Sequence, residues 1–325
     1  MKTLFSKSSL EQAAEQVYAQ MQPTPQLNWP LLSARLGTDV WVKHENHTPI
    51  GAFKVRGGII YVNDLAVQGG CGGIITATRG NHGQSIPFAA RSHGLPVTVY
   101  VPEGNSVEKN AAMRGWGADL RVHGEDFEAA RLEAVRVGAE QGLHAVPPFH
   151  ELLVRGVGTY AYELFQAIAD LDVVYAPVGM GSGICGLITV RDLLGLRTEI
   201  VGVVSERADS YALSVEAGKI VSTDSADTFA DGMACRVPMQ APLDIISAGA
   251  ARLVRVSDDQ IAQAMRDYFT DTHNVAESAG AAPLAAAMVE KSRLAGKKVG
   301  LVLSGGNVDR AWFEQVLAGG TPQVA

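Results

Sequence analysis

Short runs of apolar, largely β-branched residues, each followed by a stretch of helical periodicity, set the architectures open to this chain. The runs are VWVK (40–43), GIITA (73–77), VTVYV (97–101), VVYAPV (173–178), IVGVV (200–204) and VGLVLS (299–304), with a further strand expected at 119–122. Most are nearly continuous in apolar residues, as expected of strands covered on both faces. Helical patterns at 107–115, 126–141, 183–194 and 258–269 fall between them. The alternation predicts an α/β fold, doubly wound, with open, mostly parallel sheets flanked by helices. A first helix is expected over LEQAAEQVYAQMQ, opened by a capping box from Ser9 to Gln12 and closed by Pro23 and Pro25. A second box, Ser257 to Gln260, opens the 258–269 helix.

No Pro/Gly/Ser-rich tether separates two halves. The strands at 73–77, 97–101 and 119–122 suit one small sheet, so the expected division is 1–67 with 150–325 as one domain and 68–149 as a second. Apolar residues make up 47% of the 325, enough for a sizeable core. Glycine is over-represented, 35 residues against an ordinary share of about 7%, and glycine collects where backbone turns sharply or approaches a ligand. The net charge of −7, without a basic run, argues against a nucleic-acid partner. No apolar run is long enough to span a membrane, and the N-terminus turns polar too early for a signal peptide. Three scattered cysteines, Cys71, Cys185 and Cys235, fit a reduced, cytoplasmic protein better than a disulfide framework.

Four motifs carry chemistry. In VVYAPVGMGSGICGLITV a buried strand runs into Gly179-Met180-Gly181-Ser182-Gly183 and then a helix, which makes an anion cradle suited to phosphate, or else only a tight turn. Gly181, Gly183 and Gly186 with Glu206 also satisfy a dinucleotide fingerprint, so spacing leaves an NAD-binding oxidoreductase open. In KHENHTPIGAFKVRGG, Lys54 sits beside Phe53 and near Arg56, and a neighbouring cation would lower its pKa toward that of a usable amine nucleophile; a plain surface lysine is the alternative. In ITATRGNHGQS, Thr78 and Asn81 can bond a ligand and the backbone amides can receive a carboxylate, although Asn81 and His82 also suit ordinary helix capping. In VGLVLSGGNVD, Ser304 leaves a buried strand at what is either a site or a turn.

Taken together, the four resemble the fold type II pyridoxal-phosphate enzymes, in particular the serine/threonine dehydratases and serine racemases, over about residues 20–310. The resemblance implies two open twisted sheets and pyridoxal 5′-phosphate carried on Lys54 of G-A-F-K-V-R-G, with Phe53 against its ring. It implies that Thr78-Arg79-Gly80-Asn81-His82 bind the substrate carboxylate, with Asn81 on the ring oxygen. Residues 179–183 would hold the phosphate, Ser304 would meet the pyridine nitrogen, and Glu277 would lie near the cofactor. Glu206, with Ser210 in the third position, resembles a residue that helps bind a mono- or divalent cation.

The implied activity is removal of water from a β-hydroxy amino acid of the serine/threonine type, giving a 2-oxo acid and ammonia. A 3-hydroxyaspartate or bulkier substrate is the near alternative, and a non-catalytic phosphate-ligand-binding module a more distant one. Ala52 and the Met180/Ser182 pair depart from the family pattern, and so does Arg79, which stands where racemases place a serine. A permanently protonated guanidinium cannot serve as that base, so racemisation is disfavoured. Arg79 instead pairs a distal substrate carboxylate or braces its loop. With no chain after residue 325 for a regulatory domain, the expectation is a catabolic enzyme, a homodimer by family habit.

Overall fold

The computed structural model describes residues 4–324. Its strands are β1 (Gln26–Asn28), β2 (Asp39–His44), β3 (Ile74–Ala77), β4 (Val97–Val101), β5 (Asp119–Val122), β6 (His144–Ala145), β7 (Val173–Pro177), β8 (Glu199–Ser205), β9 (Arg252–Val256) and β10 (Lys298–Leu303). They form a six-stranded sheet in the order β1-β2-β10-β7-β8-β9 and a four-stranded sheet in the order β5-β4-β3-β6. Every pairing is parallel except β1 with β2. This is the α/β arrangement of two open, mostly parallel sheets.

The seven expected strands all form. The three unforeseen ones, β1, β6 and β9, are all edge strands. An edge strand need not be apolar throughout: β9 reads Arg-Leu-Val-Arg-Val, and its arginines pair with Glu290 and Glu199 and with Asp209 and Glu216. The first helix, Lys7–Tyr18, starts a turn before the expected Ser9–Gln12 box. Ser6 is its cap, accepting from the Ser9 amide at 3.1 Å, while the Ser9 hydroxyl receives the Ser6 amide at 3.1 Å. The box at Ser257 and Gln260 forms as expected.

Both faces of the large sheet are buried, and side chains alternate between them. Val173, Tyr175, Val201, Val203, Leu301 and Leu303 enter one apolar layer. Val174, Ala176, Ile200, Val204 and Val302 enter the other. The small sheet divides likewise, Ile74, Val97 and Val99 on one side and Ile75, Ala77 and Tyr100 on the other.

This topology dictates where a ligand goes. From β7 the chain winds outward through β8 and β9, then returns on the opposite side of β7 as β10. From β3 it winds through β4 and β5, then returns beside β3 as β6. Each sheet thus has a point where its winding reverses and the loops leaving neighbouring carboxyl ends diverge, which is where open α/β sheets bind ligands. Residues following β3, β6, β7 and β10 line one common cleft.

Candidate active site

The cleft encloses about 880 Å³, part of it open to solvent. Four chain segments bring the sequence motifs into it. Lys54 opens the helix Lys54–Gln68, and its Nζ donates to Ser182 Oγ at 2.9 Å. Burial pushes the Lys54 amine down to about 8, with Glu277 pulling the other way. The expected cause, the Arg56 charge, is not the operative one. Residues two apart on a helix do not face each other, and Arg56 is spent on Glu45 and Glu163 in a fully buried cluster.

Ser182 begins the helix Ser182–Leu193, whose first-turn amides at Ser182, Gly183 and Ile184 meet no backbone acceptor among the described residues. Free amides and the positive helix end face the cleft, as an anion requires. Gly181 caps this helix with φ +92°, a left-handed conformation natural to glycine, and an added Cβ would stand 2.7 Å from the Pro242 Cβ. Gly179, Met180 and Gly183 also line the cleft, and the Phe53 ring packs on Gly183 and edge-on to Tyr160.

From β10 comes Ser304, buried, its carbonyl accepting from the Phe53 amide at 3.0 Å. Its hydroxyl makes no hydrogen bond among the described residues and looks onto the cleft. From β3 comes the Thr78–His82 loop. The Thr78 hydroxyl accepts from the amides of Gly80, at 2.8 Å, and Gly83, at 3.3 Å, so it shapes the loop as much as it lines the cleft. At the start of the helix Asn81–Ala90 the amides of Asn81 and His82 stay without a backbone acceptor among the described residues. Gly80 is glycine because the Lys109 stem lies on it, 2.4 Å from where a Cβ would be. Burial, with the Lys54 charge, pushes His82 down to about 3, so the ring is neutral.

Asn81 is held on both ends, its Nδ2 donating to Glu277 Oε1 at 2.7 Å and its Oδ1 accepting from Asn307 at 2.8 Å. One amide proton of Asn81 remains for a ligand. Glu277 is fully buried, and burial pushes its carboxyl up against the pull of Lys109. Burial opposes the Lys109 charge, but Asp231, at 2.6 Å, and Glu277, at 3.4 Å, hold its ammonium above the usual value. Sequence reasoning missed Lys109, Asp231 and Asn307. Asn307 stood inside a quoted motif; the other two carry no local signal. Arg79 lines the cleft without an ion pair among the described residues, its Nε buried and unpartnered.

Glu206 is not brought to this site. It is exposed beyond β8, and Ser210 instead donates to the Cys235 carbonyl at 2.6 Å. The described residues contain no group of three or more His, Cys, Asp or Glu side chains placed to hold a metal ion.

A buried amine lowered to about 8, a free helix N-terminus one serine away, an unpaired hydroxyl and an asparagine with a spare donor fit an aldehyde cofactor bearing a phosphate, a ring nitrogen and a ring oxygen. The chain belongs to the pyridoxal-phosphate dependent enzymes, whose family model matches residues 17–305. It is 30% identical over 93% of its length to the biosynthetic L-threonine dehydratase of Haemophilus influenzae, of which it spans about 60%. It is also 30% identical to the L-threo-3-hydroxyaspartate ammonia-lyase of Saccharomyces cerevisiae over 94% of each chain. The processed form of threonine deaminase isoform 2 from Solanum lycopersicum superposes with a TM-score of 0.88 at 28% identity, covering 97% of this chain and 94% of that one. The dinucleotide reading falls with these findings, since the family is a pyridoxal-phosphate one and the cleft is lined by Lys54, Asn81 and Ser304 and not by Glu206.

Proposed function

We propose that this protein is a pyridoxal-phosphate-dependent ammonia-lyase that removes water from a β-hydroxy amino acid of the serine/threonine type and releases a 2-oxo acid and ammonia. The observation that carries the reading is the Lys54 amine, buried and lowered to about 8, at the meeting of both sheets' reversal points beside a free helix N-terminus. Ser182 and the 181–184 amides would hold the phosphate, Asn81 the ring oxygen and Ser304 the ring nitrogen. When bound, the cofactor supplies the electron sink that makes a substrate Cα proton removable.

The free amides of Asn81 and His82 receive the substrate α-carboxylate at the helix start. Lys54, its amine lowered to about 8 so that a usable share is neutral near that pH, takes the Cα proton on its Nζ. Ser304 offers the ring nitrogen a neutral hydroxyl, which leaves the sink weak and favours prompt loss of the β-hydroxyl over transfer of the amino group. Arg79 stays protonated and cannot act as the opposite-face base of a racemase.

The reading divides the chain into 1–67 with 150–325 and 68–149, supported by the membership of β3 to β6 in one sheet and the remaining strands in the other. A homodimer, a catabolic role and the cytoplasm complete it; the three free thiols support the last, and no helix among the described residues is long and apolar enough to cross a membrane. Borohydride treatment followed by peptide mapping should mark Lys54, and serine, threonine or a close analogue should yield a 2-oxo acid. A protein that binds the cofactor but releases ammonia from no β-hydroxy amino acid would be a binding module and would overturn the proposal.

A further inference from the structure

The ionisable side chains of the cleft are Lys54, Arg79, His82, Lys109, Asp231, Glu277 and Cys235, whose thiol burial pushes up to about 12 and so keeps neutral. Lys109 is balanced by Asp231 and Glu277. His82 is neutral. Lys54 is the cofactor's amine. Arg79 remains as a cation with no counter-charge among the described residues, and its Nε is shut off from water without an acceptor. A guanidinium cannot escape that cost by losing its proton. An anion delivered by the ligand would remove it, and a planar fork favours a carboxylate bound through two parallel hydrogen bonds.

The position of Arg79 narrows which anion. It lies between Thr78 and Gly80, one residue ahead of the free amides of Asn81 and His82. Those amides take the α-carboxylate under the reading above, on which this inference rests. The phosphate cradle is built on the other sheet, after β7. We infer that Arg79 receives a second carboxylate carried on the β-carbon side of the substrate, so that the preferred class is β-hydroxy amino dicarboxylates such as 3-hydroxyaspartate.

Two measurements on the holoenzyme test this. Calorimetric affinities for L-aspartate and L-asparagine, which lack the β-hydroxyl and differ in charge at one end, should favour aspartate by roughly thirtyfold, the size of a charge-assisted contact. The preference should collapse in Arg79→Ser and persist in part in Arg79→Lys. In parallel, the ratio of kcat/KM for 3-hydroxyaspartate over serine should fall about thirtyfold in Arg79→Ser. A wild-type aspartate-to-asparagine ratio near one overturns the inference whether or not either variant folds. So does an equal loss for all substrates, which marks a loop brace, or weakened cofactor retention with an unchanged substrate ratio, which makes the phosphate the partner of Arg79. Absence of ammonia release from every β-hydroxy amino acid, with the aspartate preference intact, would fault the lyase reading and not the anion receptor.

Discussion

Replacing Arg56 by methionine probes the buried charges beneath the Lys54 helix. Arg56 Nε donates to Glu45 at 2.7 Å, Nη1 to Glu163 at 2.6 Å and to Thr159 at 2.9 Å, and Nη2 to both carboxylates at 2.9 Å. Lys43 closes the group, 2.5 Å from Glu163. Two cations thus balance two carboxylates, all buried. Removing Arg56 leaves both carboxylates against one lysine, and breaking a buried pair in this way costs about 3–5 kcal/mol. At roughly 2–4 °C per kcal/mol, the melting temperature should fall by on the order of 10 °C.

The pH dependence sharpens the test. Burial alone would raise the Glu163 carboxyl, but in the wild type Arg56 and Lys43 hold it below the usual range. Its contribution is therefore present above its unfolded pKa and lost as pH falls through the lower folded value. In Arg56→Met a carboxyl left unpaired is raised above its unfolded value near 4.3. That group's stability is full below the unfolded pKa and lost as pH rises through the folded one, so the variant's deficit should shrink from pH 8 to pH 6. Adding Glu45→Gln restores one cation to one carboxylate and should recover part of the loss. Urea unfolding of the cofactor-saturated protein, followed by circular dichroism, measures all three. A deficit below about 1 kcal/mol that ignores pH, or a double variant no better than the single one, would refute the charge-balance argument.

Gly181→Ala forces a side chain into φ +92° with its Cβ 2.7 Å from Pro242. The strain, about 1–2 kcal/mol before any clash, falls on the helix start that faces the cleft; cofactor dissociation should quicken about tenfold, and unchanged retention in a folded variant would show the loop to be only a turn. In cofactor-stripped protein the reattachment rate, read by absorbance, should rise with pH and level off above about 8, where Lys54 becomes neutral. Glu277→Gln removes the opposing carboxylate and should move that break lower; a break remaining near 10.5 would contradict the buried-amine account.

The sequence by itself makes six of the seven foreseen strands legible, because covering on both faces writes a nearly continuous apolar run into each; β5, an edge strand reading Asp-Leu-Arg-Val, was foreseen without one. The sequence also determined the local parts of the site. Lys54, the 179–183 loop, Thr78–His82 and Ser304 each sit at a strand or helix end whose signal is confined to a few neighbours. Edge strands β1, β6 and β9 escaped because pairing and covering on one side leave no such run. Only the tertiary structure could decide which charges meet. Lys109 and Asp231 lie 122 residues apart, and Asn81 and Asn307 226 apart, so no local pattern couples them. It also overruled two readings made from proximity in sequence. Arg56, two residues from Lys54, faces Glu45 and Glu163 instead of the amine, which burial alone depresses. Glu206, at the spacing of a fingerprint, ends its strand in solvent. Helix geometry and strand order decide which way a side chain points, and burial, the largest influence on a charge, exists only once the two sheets have closed on one cleft.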